Sequence, residues 1–187
     1  MPTRAPNLAY RSREYLTPAE VSRLIDAAGQ RGRHRLRDRA ILLMMFRHGL
    51  RAGEACLLRW DGIMFDAGTV AITRLKGSQS GVHRLQADEL DLLHQLKAGR
   101  RGFWVFAGER GDKLTPNAIR KVVDRAGETA DLPLPVHPHM LRHSCGYYLA
   151  EQGIPTRDIQ SYLGHKNIQH TVGYTAANPA RFDRIRW

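Results

Sequence analysis

The sequence is short of cysteine and of long apolar runs, and each shortage excludes a class of protein. Among its 187 residues only Cys56 and Cys145 are cysteines, and both lie in largely apolar stretches typical of helices. We therefore expect free buried thiols in a reducing compartment, not a disulfide scaffold or a metal knot. The longest apolar run, AILLMMF at 40–46, is far shorter than the ~20 residues of a bilayer span. The sequence opens without an apolar signal segment, so we expect a cytoplasmic protein.

Acidic residues are also scarce relative to basic ones. The chain has 29 Lys and Arg against 18 Asp and Glu, which gives a formal net charge of +11. This excess predicts a polyanionic partner, and nucleic acid is the leading candidate. A ribosome or an anionic membrane surface would need the same charge, so the sign alone leaves those partners open. Hydrophobic residues make up 42% and charged residues 25%, which are values of a folded globular chain and exclude wholesale disorder.

A cluster of arginines follows the first predicted helix. Its members alternate along RGRHRLRDR, so they cannot all share one face of a helix, and part of the cluster should line a loop or a helix entrance. A solvated charge run and a set of phosphate contacts remain equal interpretations of this pattern. The candidate DNA-binding residues are Arg31, Arg33, Arg35, Arg37 and Arg39.

The hydrophobic pattern predicts a mainly helical α+β fold with a small antiparallel sheet inserted among the helices. In TPAEVSRLIDAAG (17–29), Thr17 and Glu20 form a capping box and Pro18 occupies the first helical position. Short alternating segments between 62 and 86 predict strands joined by DAG and by the loose loop KGSQSG. Another strand is predicted at 102–108. Further helices are predicted at 37–49, 52–60, 87–99, 115–130, 139–153, 155–164, 168–175 and 178–187.

The later segments offer candidate groups for one possible reaction on nucleic acid, the cleavage and rejoining of DNA strands. A strand transferase without metal needs a nucleophile, cations for the phosphate oxygens and an acid for the leaving 5′ oxygen. Tyr174 is the candidate nucleophile, and its phenol, with a pKa of ~10, needs positive surroundings. Arg51 and Arg142 offer planar guanidinium groups to phosphate oxygens. His139 lies three residues before Arg142 on the same helical face, and His165 lies nine residues before the tyrosine.

An ordered series of motifs resembles the tyrosine recombinase (phage integrase) family. The series is GLRAGEACLLRW, RLKGSQSGVHRL, HPHMLRHSCGYYLAEQG and YLGHKNIQHTVGYT, and its phrasing is most similar to the short fimbrial phase-variation invertases. The resemblance extends over residues 17 to 182. It implies that family's catalytic-domain fold and a metal- and ATP-independent exchange of DNA strands without cofactors. The implied partners are double-stranded DNA, further copies of the chain in a tetramer on DNA, and DNA-bending accessory proteins, in the bacterial nucleoid.

The resemblance also implies how the scissile phosphate is held. Arg51 and Arg142 would bind its non-bridging oxygens, and Glu54 would buttress the first of these arginines. His139 and His165 would donate hydrogen bonds to the same phosphate.

The proton transfers and the covalent step are implied in the same way. Tyr174 would form a 3′-phosphotyrosyl bond, which the 5′ hydroxyl of a partner strand would later reverse. His139 would help to deprotonate the tyrosine, and Lys76 would protonate the leaving 5′ hydroxyl. His143 would support the pocket, although core packing is an equally good explanation for this residue.

Two other classes of function compete with a recombinase. A metal hydrolase would use His137, His139 and His143 as ligands, but the last two lack the intervening glutamate of a zinc helix. A DNA-binding regulator of the same fold without recombination activity would have a broken catalytic set, and here the set is complete. The residues leave inversion, integration, excision and dimer resolution open, and the resemblance to the fimbrial invertases favours inversion over integration or excision.

The chain departs from most of the family at both ends. Residues 1–16 are expected to form a flexible basic arm before a single catalytic domain at 17–187, without the helical clamp domain that other members carry. The arm and the arginine cluster are expected to supply phosphate contacts instead. The tail at 175–187 is expected to pack on a neighbouring protomer through a short helix with Phe182 and Ile185 on one side.

Overall fold

The computed structural model describes residues 13–75, 77–99, 102–176, 178, 182 and 186. Within them the chain forms eight α-helices and one three-stranded antiparallel sheet, so the predicted mainly helical α+β fold is confirmed. The helices are α1 (Pro18–Ala28), α2 (Arg35–Arg47), α3 (Ala52–Ala55), α4 (Ala87–Ala98), α5 (Pro116–Thr129), α6 (Pro138–Glu151), α7 (Thr156–Leu163) and α8 (Gln169–Ala176). The strands are β1 (Ile63–Met64), β2 (Thr69–Ile72) and β3 (Gly81–Arg84). None of the described helices has the length and apolarity needed to cross a bilayer.

The start of α1 follows its sequence signals. Thr17 accepts a hydrogen bond from the Glu20 backbone at 3.3 Å, and the Glu20 carboxylate accepts from the Thr17 backbone at 2.8 Å. This reciprocal pair is the predicted capping box, with Pro18 at the first helical position. Helix α5 begins in the same way, with Thr115 accepting from the Ala118 backbone at 3.1 Å.

The segment just before α1 is packed against the body of the protein. Leu16 is 2% exposed, and its backbone N–H donates to Ser144 Oγ at 2.8 Å. The ring of Tyr15 lies 4.1 Å from that of Tyr147, between centroids. Leu16 and Tyr15 thus hold the end of the predicted arm against α6, and the flexibility of the arm stays a prediction. Residues 1–12 of the predicted arm lie outside the described residues.

Helix α2 forms the centre of the core. Its residues 40–45 are all buried, and it packs against α1, α4 and α6. A second, smaller apolar cluster joins Cys145, Ile159, Leu163 and Tyr174 where α6, α7 and α8 meet. Both cysteines are free and buried, as predicted. Burial raises the pKa of the Cys145 thiol to about 12, so this side chain behaves as an apolar group.

The sheet has the order β1-β2-β3 and places one loop beside the second cluster. Val70 pairs with His83 and Ile72 with Gly81, and both apolar residues of β2 face the core. The strands are shorter than predicted. The loop between β2 and β3 contains Arg74 and packs against α7, because the Arg74 guanidinium donates to Tyr162 O at 2.7 Å.

Two predicted elements are replaced by pairing between distant segments. The helix predicted at 52–60 ends at Ala55, and Trp60–Gly62 forms a separate 3₁₀ turn. Leu58 O accepts from Val105 N at 2.9 Å, and Trp60 N donates to Phe103 O at 2.9 Å. The strand predicted at 102–108 is reduced to isolated bridges, including Arg59 with Trp104.

Candidate active site

The turn after α2 positions the first predicted arginine. Arg51 precedes α3, and Glu54 lies in the first turn of that helix. The Glu54 side chain is fully buried and accepts from the Arg51 backbone at 3.0 Å and from its Nη1 at 2.5 Å. A quarter of the Arg51 side chain remains exposed. The structure thus brings the predicted arginine together with its predicted acidic partner and leaves one side of the guanidinium open.

Arg142 reaches the same place from the middle of α6. Its side chain is 5% exposed, and Nη1 donates to Gly49 O at 2.5 Å while Nη2 donates to Leu163 O at 2.7 Å. Nη1 also lies 3.8 Å from Glu54 Oε2. Burial, with the neighbouring charges of Arg51 and Arg74, lowers the pKa of Arg142 to about 10. The guanidinium therefore keeps its proton at neutral pH.

A third guanidinium, which the sequence analysis missed, completes this cluster. Arg74 is buried at the end of β2 and donates from Nη1 to Glu54 Oε2 at 2.8 Å and to Gly49 O at 3.1 Å. The sequence offered one signal for Arg74, its position two residues before the predicted site residue Lys76. Nothing in the sequence, however, distinguishes a buried arginine from a solvated one. Three guanidinium groups thus surround the single carboxylate of Glu54.

Helix α7 ends in a way that brings His165 to this cluster. Gly164 adopts φ +69°, and a Cβ at this position would lie 2.6 Å from Gln79 O in the β2–β3 loop. His165 is buried, and its Nδ1 lies 2.8 Å from Thr171 Oγ1 on α8. Burial and the charges of Arg142 and Arg51 lower the pKa of the His165 imidazole to about 3. A neutral ring that accepts from Thr171 carries its proton on Nε2, the form that donates to a phosphate oxygen.

Tyr174 lies on α8 inside the second apolar cluster. Its side chain packs against α6 where Gly146 leaves room, since a Cβ there would lie 2.5 Å from Tyr174 Cε2. The ring stacks at 6.3 Å from His165 and meets Tyr147 edge-on at 5.0 Å, between centroids. Burial raises the pKa of the phenol to about 12, although Arg142 opposes this increase. The nucleophile candidate is therefore neutral and needs a proton acceptor.

The imidazole of His143 meets the tyrosine hydroxyl. The two groups lie 2.9 Å apart, between His143 Nδ1 and Tyr174 Oη. Burial and the charge of His139 lower the pKa of His143, so its ring is neutral at pH 7 and can accept the phenolic proton. His139 lies one turn earlier in α6 and is exposed, and its role as the tyrosine's base stays a prediction.

The segment that contains the predicted Lys76 is described only on either side of that residue. Lys76 is outside the described residues, but its neighbour Leu75 donates its backbone N–H to Glu54 Oε1 at 3.3 Å. Gly77, Gln79 and His165 line an open depression of about 440 Å³ beside the site. Among the described residues, no group of three or more His, Cys, Asp or Glu side chains could hold a metal ion.

The arginine cluster lies at the far end of α2 from the site. Because α2 has 13 residues, its two ends are about 20 Å apart. Arg37 is buried, with its guanidinium on Asp38 at 2.8 Å and on Ala107 O at 3.0 Å, so its side chain holds the core and is not presented to solvent as a phosphate contact requires. The remaining four members of the cluster are exposed, namely Arg31, Arg33, Arg35 and Arg39.

Known proteins are similar to this chain in sequence. The chain is 41% identical to the type 1 fimbriae regulatory protein FimB of Escherichia coli K12 over 186 residues, which covers 94% of this chain and 92% of FimB. It is 40% identical to FimE of Shigella flexneri, covering 91% of this chain and 89% of FimE. It is 37% identical to the tyrosine recombinase XerC of Xylella fastidiosa strain M23, over 75% of this chain and 48% of XerC.

Solved structures support the same assignment at the level of the fold. The XerA recombinase superposes with a TM-score of 0.80 at 24% identity, covering 98% of this chain and 70% of XerA. XerH bound to its difH substrate superposes with a TM-score of 0.78 at 23% identity, covering 91% of this chain and 53% of XerH. The sequence matches the phage integrase family over residues 14–181. The resemblance read from the four motifs is therefore confirmed, and the chain belongs to the phage integrase family.

Proposed function

We propose that this protein is a site-specific DNA recombinase that cleaves and rejoins DNA through a 3′-phosphotyrosyl bond to Tyr174. The single observation that carries the proposal is the convergence of Arg51 and Arg142 on one carboxylate and one turn, next to the cluster that holds Tyr174. Arg51 is bound to Glu54, and Arg142 lies 3.8 Å from the same carboxylate. Double-stranded DNA is the proposed substrate, in keeping with the names of the recombinases that share this fold.

The cluster is suited to a bound phosphate because it has unbalanced positive charge. Arg51, Arg74 and Arg142 carry three charges, and Glu54 neutralises one of them. A buried excess of charge is costly without an anion, so binding the scissile phosphate would offset that cost. The exposed side of Arg51 is the route by which a non-bridging oxygen would enter. The same groups would stabilise the additional negative charge of the pentavalent transition state.

The covalent step replaces one phosphodiester bond, to the DNA 5′ oxygen, by another, to Tyr174. Tyr174 Oη gives its proton to His143 Nδ1 and forms a bond to phosphorus, while the bond from phosphorus to the 5′ oxygen breaks. The leaving 5′ oxygen takes a proton, for which Lys76 is the proposed donor. His165 donates from Nε2 to a phosphate oxygen throughout the step. Attack by a 5′ hydroxyl on the phosphotyrosine reverses these transfers and rejoins a strand.

The relatives favour DNA inversion as the biological outcome. FimB and FimE match this chain over nearly their whole length, and the four motifs resemble the fimbrial phase-variation invertases. Self-association to a tetramer on DNA, packing of the tail at 175–187 on a neighbouring protomer and help from DNA-bending proteins are further parts of this proposal. The mass of the protein–DNA complex in solution tests the tetramer, which predicts four chains on two DNA sites.

A second candidate function is a DNA-binding regulator of the same fold that does not recombine DNA. The names of FimB and FimE, which are type 1 fimbriae regulatory proteins, favour it. The two functions differ in whether a covalent bond to DNA forms.

Covalent capture on nicked DNA separates these functions. A nick next to the cleavage position lets a short strand diffuse away, so that a phosphotyrosyl intermediate accumulates. We expect the wild-type protein to form a denaturant-resistant complex with DNA that carries the target sites. The Tyr174→Phe variant should form none while it binds the same DNA with nearly unchanged affinity.

Tyr162→Phe is the matched control and should retain capture, since that hydroxyl is bound to Arg47 O at 2.9 Å. Full capture by Tyr174→Phe would refute the assignment, and absence of capture by the wild type would favour the regulator.

A further inference from the structure

Arg74 is a buried charge to which the family motifs assign no role. Its side chain is 1% exposed and makes four hydrogen bonds from its two terminal nitrogens. Nη1 donates to Glu54 Oε2 at 2.8 Å and to Gly49 O at 3.1 Å. Nη2 donates to His48 O at 2.8 Å and to Tyr162 O at 2.7 Å. Such complete pairing is what a guanidinium requires when it is removed from water.

These acceptors belong to separate segments that each carry a residue of the proposed site. His48 and Gly49 form the turn that leads into Arg51, and Glu54 holds that arginine directly. Tyr162 lies at the end of α7, two residues before the turn that positions His165. Arg74 itself is the second residue of the loop between β2 and β3, where its backbone N–H donates to Ser80 Oγ at 3.0 Å. One side chain therefore fixes the relative positions of these segments.

Arg74 also shares its acceptors with Arg142. Both guanidinium groups donate to Gly49 O, at 3.1 and 2.5 Å, and both lie near Glu54 Oε2, at 2.8 and 3.8 Å. If Arg74 moved, Gly49 and Glu54 would lose a partner that holds them against Arg142. The spacing of Arg51 and Arg142 across one phosphate would then no longer be fixed.

We propose that Arg74 is the positioning residue of the phosphate clamp formed by Arg51 and Arg142, and that it contributes its charge to that clamp without touching DNA. This inference rests on the proposed recombinase function. It predicts that Arg74 affects the rate of the covalent step more than the affinity for DNA, because its side chain is sealed from the surface. It further predicts that the effect depends on the charge of the scissile phosphate.

The test compares Arg74→Lys with Arg37→Lys, since both wild-type residues are buried arginines in ion pairs and only Arg74 lies at the site. A lysine keeps the charge but cannot reach four acceptors on two sides. Covalent capture is measured at saturating nicked DNA and expressed per folded, DNA-binding molecule. Two DNAs are used, one with an ordinary scissile phosphate and one with an uncharged methylphosphonate at that position.

We expect Arg74→Lys to lower the capture rate on phosphate DNA by roughly 10- to 100-fold, as for other residues that orient active-site groups. Affinity for DNA should change by less than about threefold, because few phosphate contacts are lost. On methylphosphonate DNA the loss should shrink to a few-fold, since the clamp then has less charge to neutralise. Arg37→Lys should lower thermal stability and leave capture per folded molecule unchanged on both DNAs.

The milder variant Ser80→Ala keeps the test decisive if Arg74→Lys does not fold. Ser80 is exposed and its Oγ accepts from the Arg74 backbone N–H, so removing this hydroxyl should slow capture on phosphate DNA by roughly fivefold, the effect of one hydrogen bond. Equal losses on both DNAs, or a loss of affinity that accounts for the whole effect, would overturn the role of Arg74. Unchanged capture by Arg74→Lys would do the same. Absence of capture by the wild type would instead remove the proposed function itself.

Discussion

At the scale of single residues, the chemistry depends on where the proton of Tyr174 goes. The phenol has a pKa raised to about 12 by burial, whereas the pKa of His143 is lowered by burial and by His139. The two groups are 2.9 Å apart, so a neutral imidazole whose Nδ1 carries no proton can accept the phenolic proton directly. Because its pKa is low, His143 is a weak base. It nevertheless accepts the proton inside the buried site, so the phenol does not have to be exposed to water.

The pH dependence of covalent capture tests this role of His143. In the wild type we expect a rate that is nearly constant from pH 7 to 9, because His143 stays neutral, and that falls at pH values below its lowered pKa. In His143→Ala the proton must leave to solvent, so the rate should rise with pH by up to about tenfold per unit. His94→Ala, which removes a histidine packed on Phe65, should keep the wild-type profile.

A different outcome would assign the base elsewhere. If His139→Ala gave the rising profile and His143→Ala did not, the exposed histidine would be the base, as the sequence analysis predicted. The sequence could not decide between the two histidines because they lie four residues apart, on one face of α6.

Arginines show a similar limit of sequence analysis at the residue scale. Arg37 and Arg74 are both buried, and neither is distinguished in sequence from the exposed arginines around it. Their burial depends on Asp38 and Glu54, which themselves become buried only when distant segments pack. Chemistry alone made candidates of Arg51, Arg142 and Tyr174. Their roles followed from the match of their spacing and flanking motifs to a known family, and the physical pattern of the sequence did not contain that information.

At the scale of elements, the site depends on how closely α8 approaches α6. Local signals predicted these helices well, because capping residues and apolar spacing act within a few positions. The predictions of a full helix at 52–60 and a regular strand at 102–108 were incorrect, because the backbones of Leu58 and Trp60 pair with residues more than 40 positions away. The contact of Tyr174 with Gly146 is of the same long-range kind and was not predicted.

A pair of glycine substitutions tests the approach of these helices. Alanine at Gly146 would place Cβ within 2.5 to 2.7 Å of three atoms of the Tyr174 ring, so the ring and α8 must shift. We expect Gly146→Ala to reduce covalent capture by on the order of 100-fold, since a misplacement of about 1 Å has that effect on a reacting group.

Gly173→Ala provides the matched control on α8. A Cβ at Gly173 would meet nothing within 4 Å, so the alanine should gain helix propensity, up to about 1 kcal/mol of stability, and retain capture. Thermal melts and capture rates of both variants check the pair. Wild-type capture by Gly146→Ala would show that Tyr174 reacts from a position other than the one described.

At the scale of the whole molecule, positive charge is divided between the buried site and an exposed cluster about 20 Å away along α2. The net charge of +11 predicted a polyanionic partner, and the family assignment agrees with DNA. Charge counting could not show that Arg37 belongs to the core or that Arg33 pairs with Glu109. It therefore overestimated the number of side chains free to meet phosphate.

The salt dependence of DNA binding measures how many of the exposed arginines contact phosphates. We expect affinity to fall steeply with salt and the slope of log K against log salt concentration to decrease by about 0.9 for each phosphate contact removed. Replacing Arg31, Arg33 and Arg35 by Gln should therefore lower the slope by about 2 to 3 if all three contact phosphates. Arg59→Gln removes an exposed arginine paired with Asp61 and serves as the comparison. An unchanged slope in the triple variant would leave the cluster as a solvated surface.

In the proposed covalent intermediate, the oxygen of Tyr174 is bonded to a DNA phosphate that Arg51 and Arg142 hold. Mass spectrometry of the covalent complex, after protease and nuclease digestion, identifies the residue that carries the nucleotide. We expect one modified peptide, containing Tyr174, with the nucleotide attached through its 3′ phosphate. A nucleotide on another residue, or attachment through a 5′ phosphate, would contradict it.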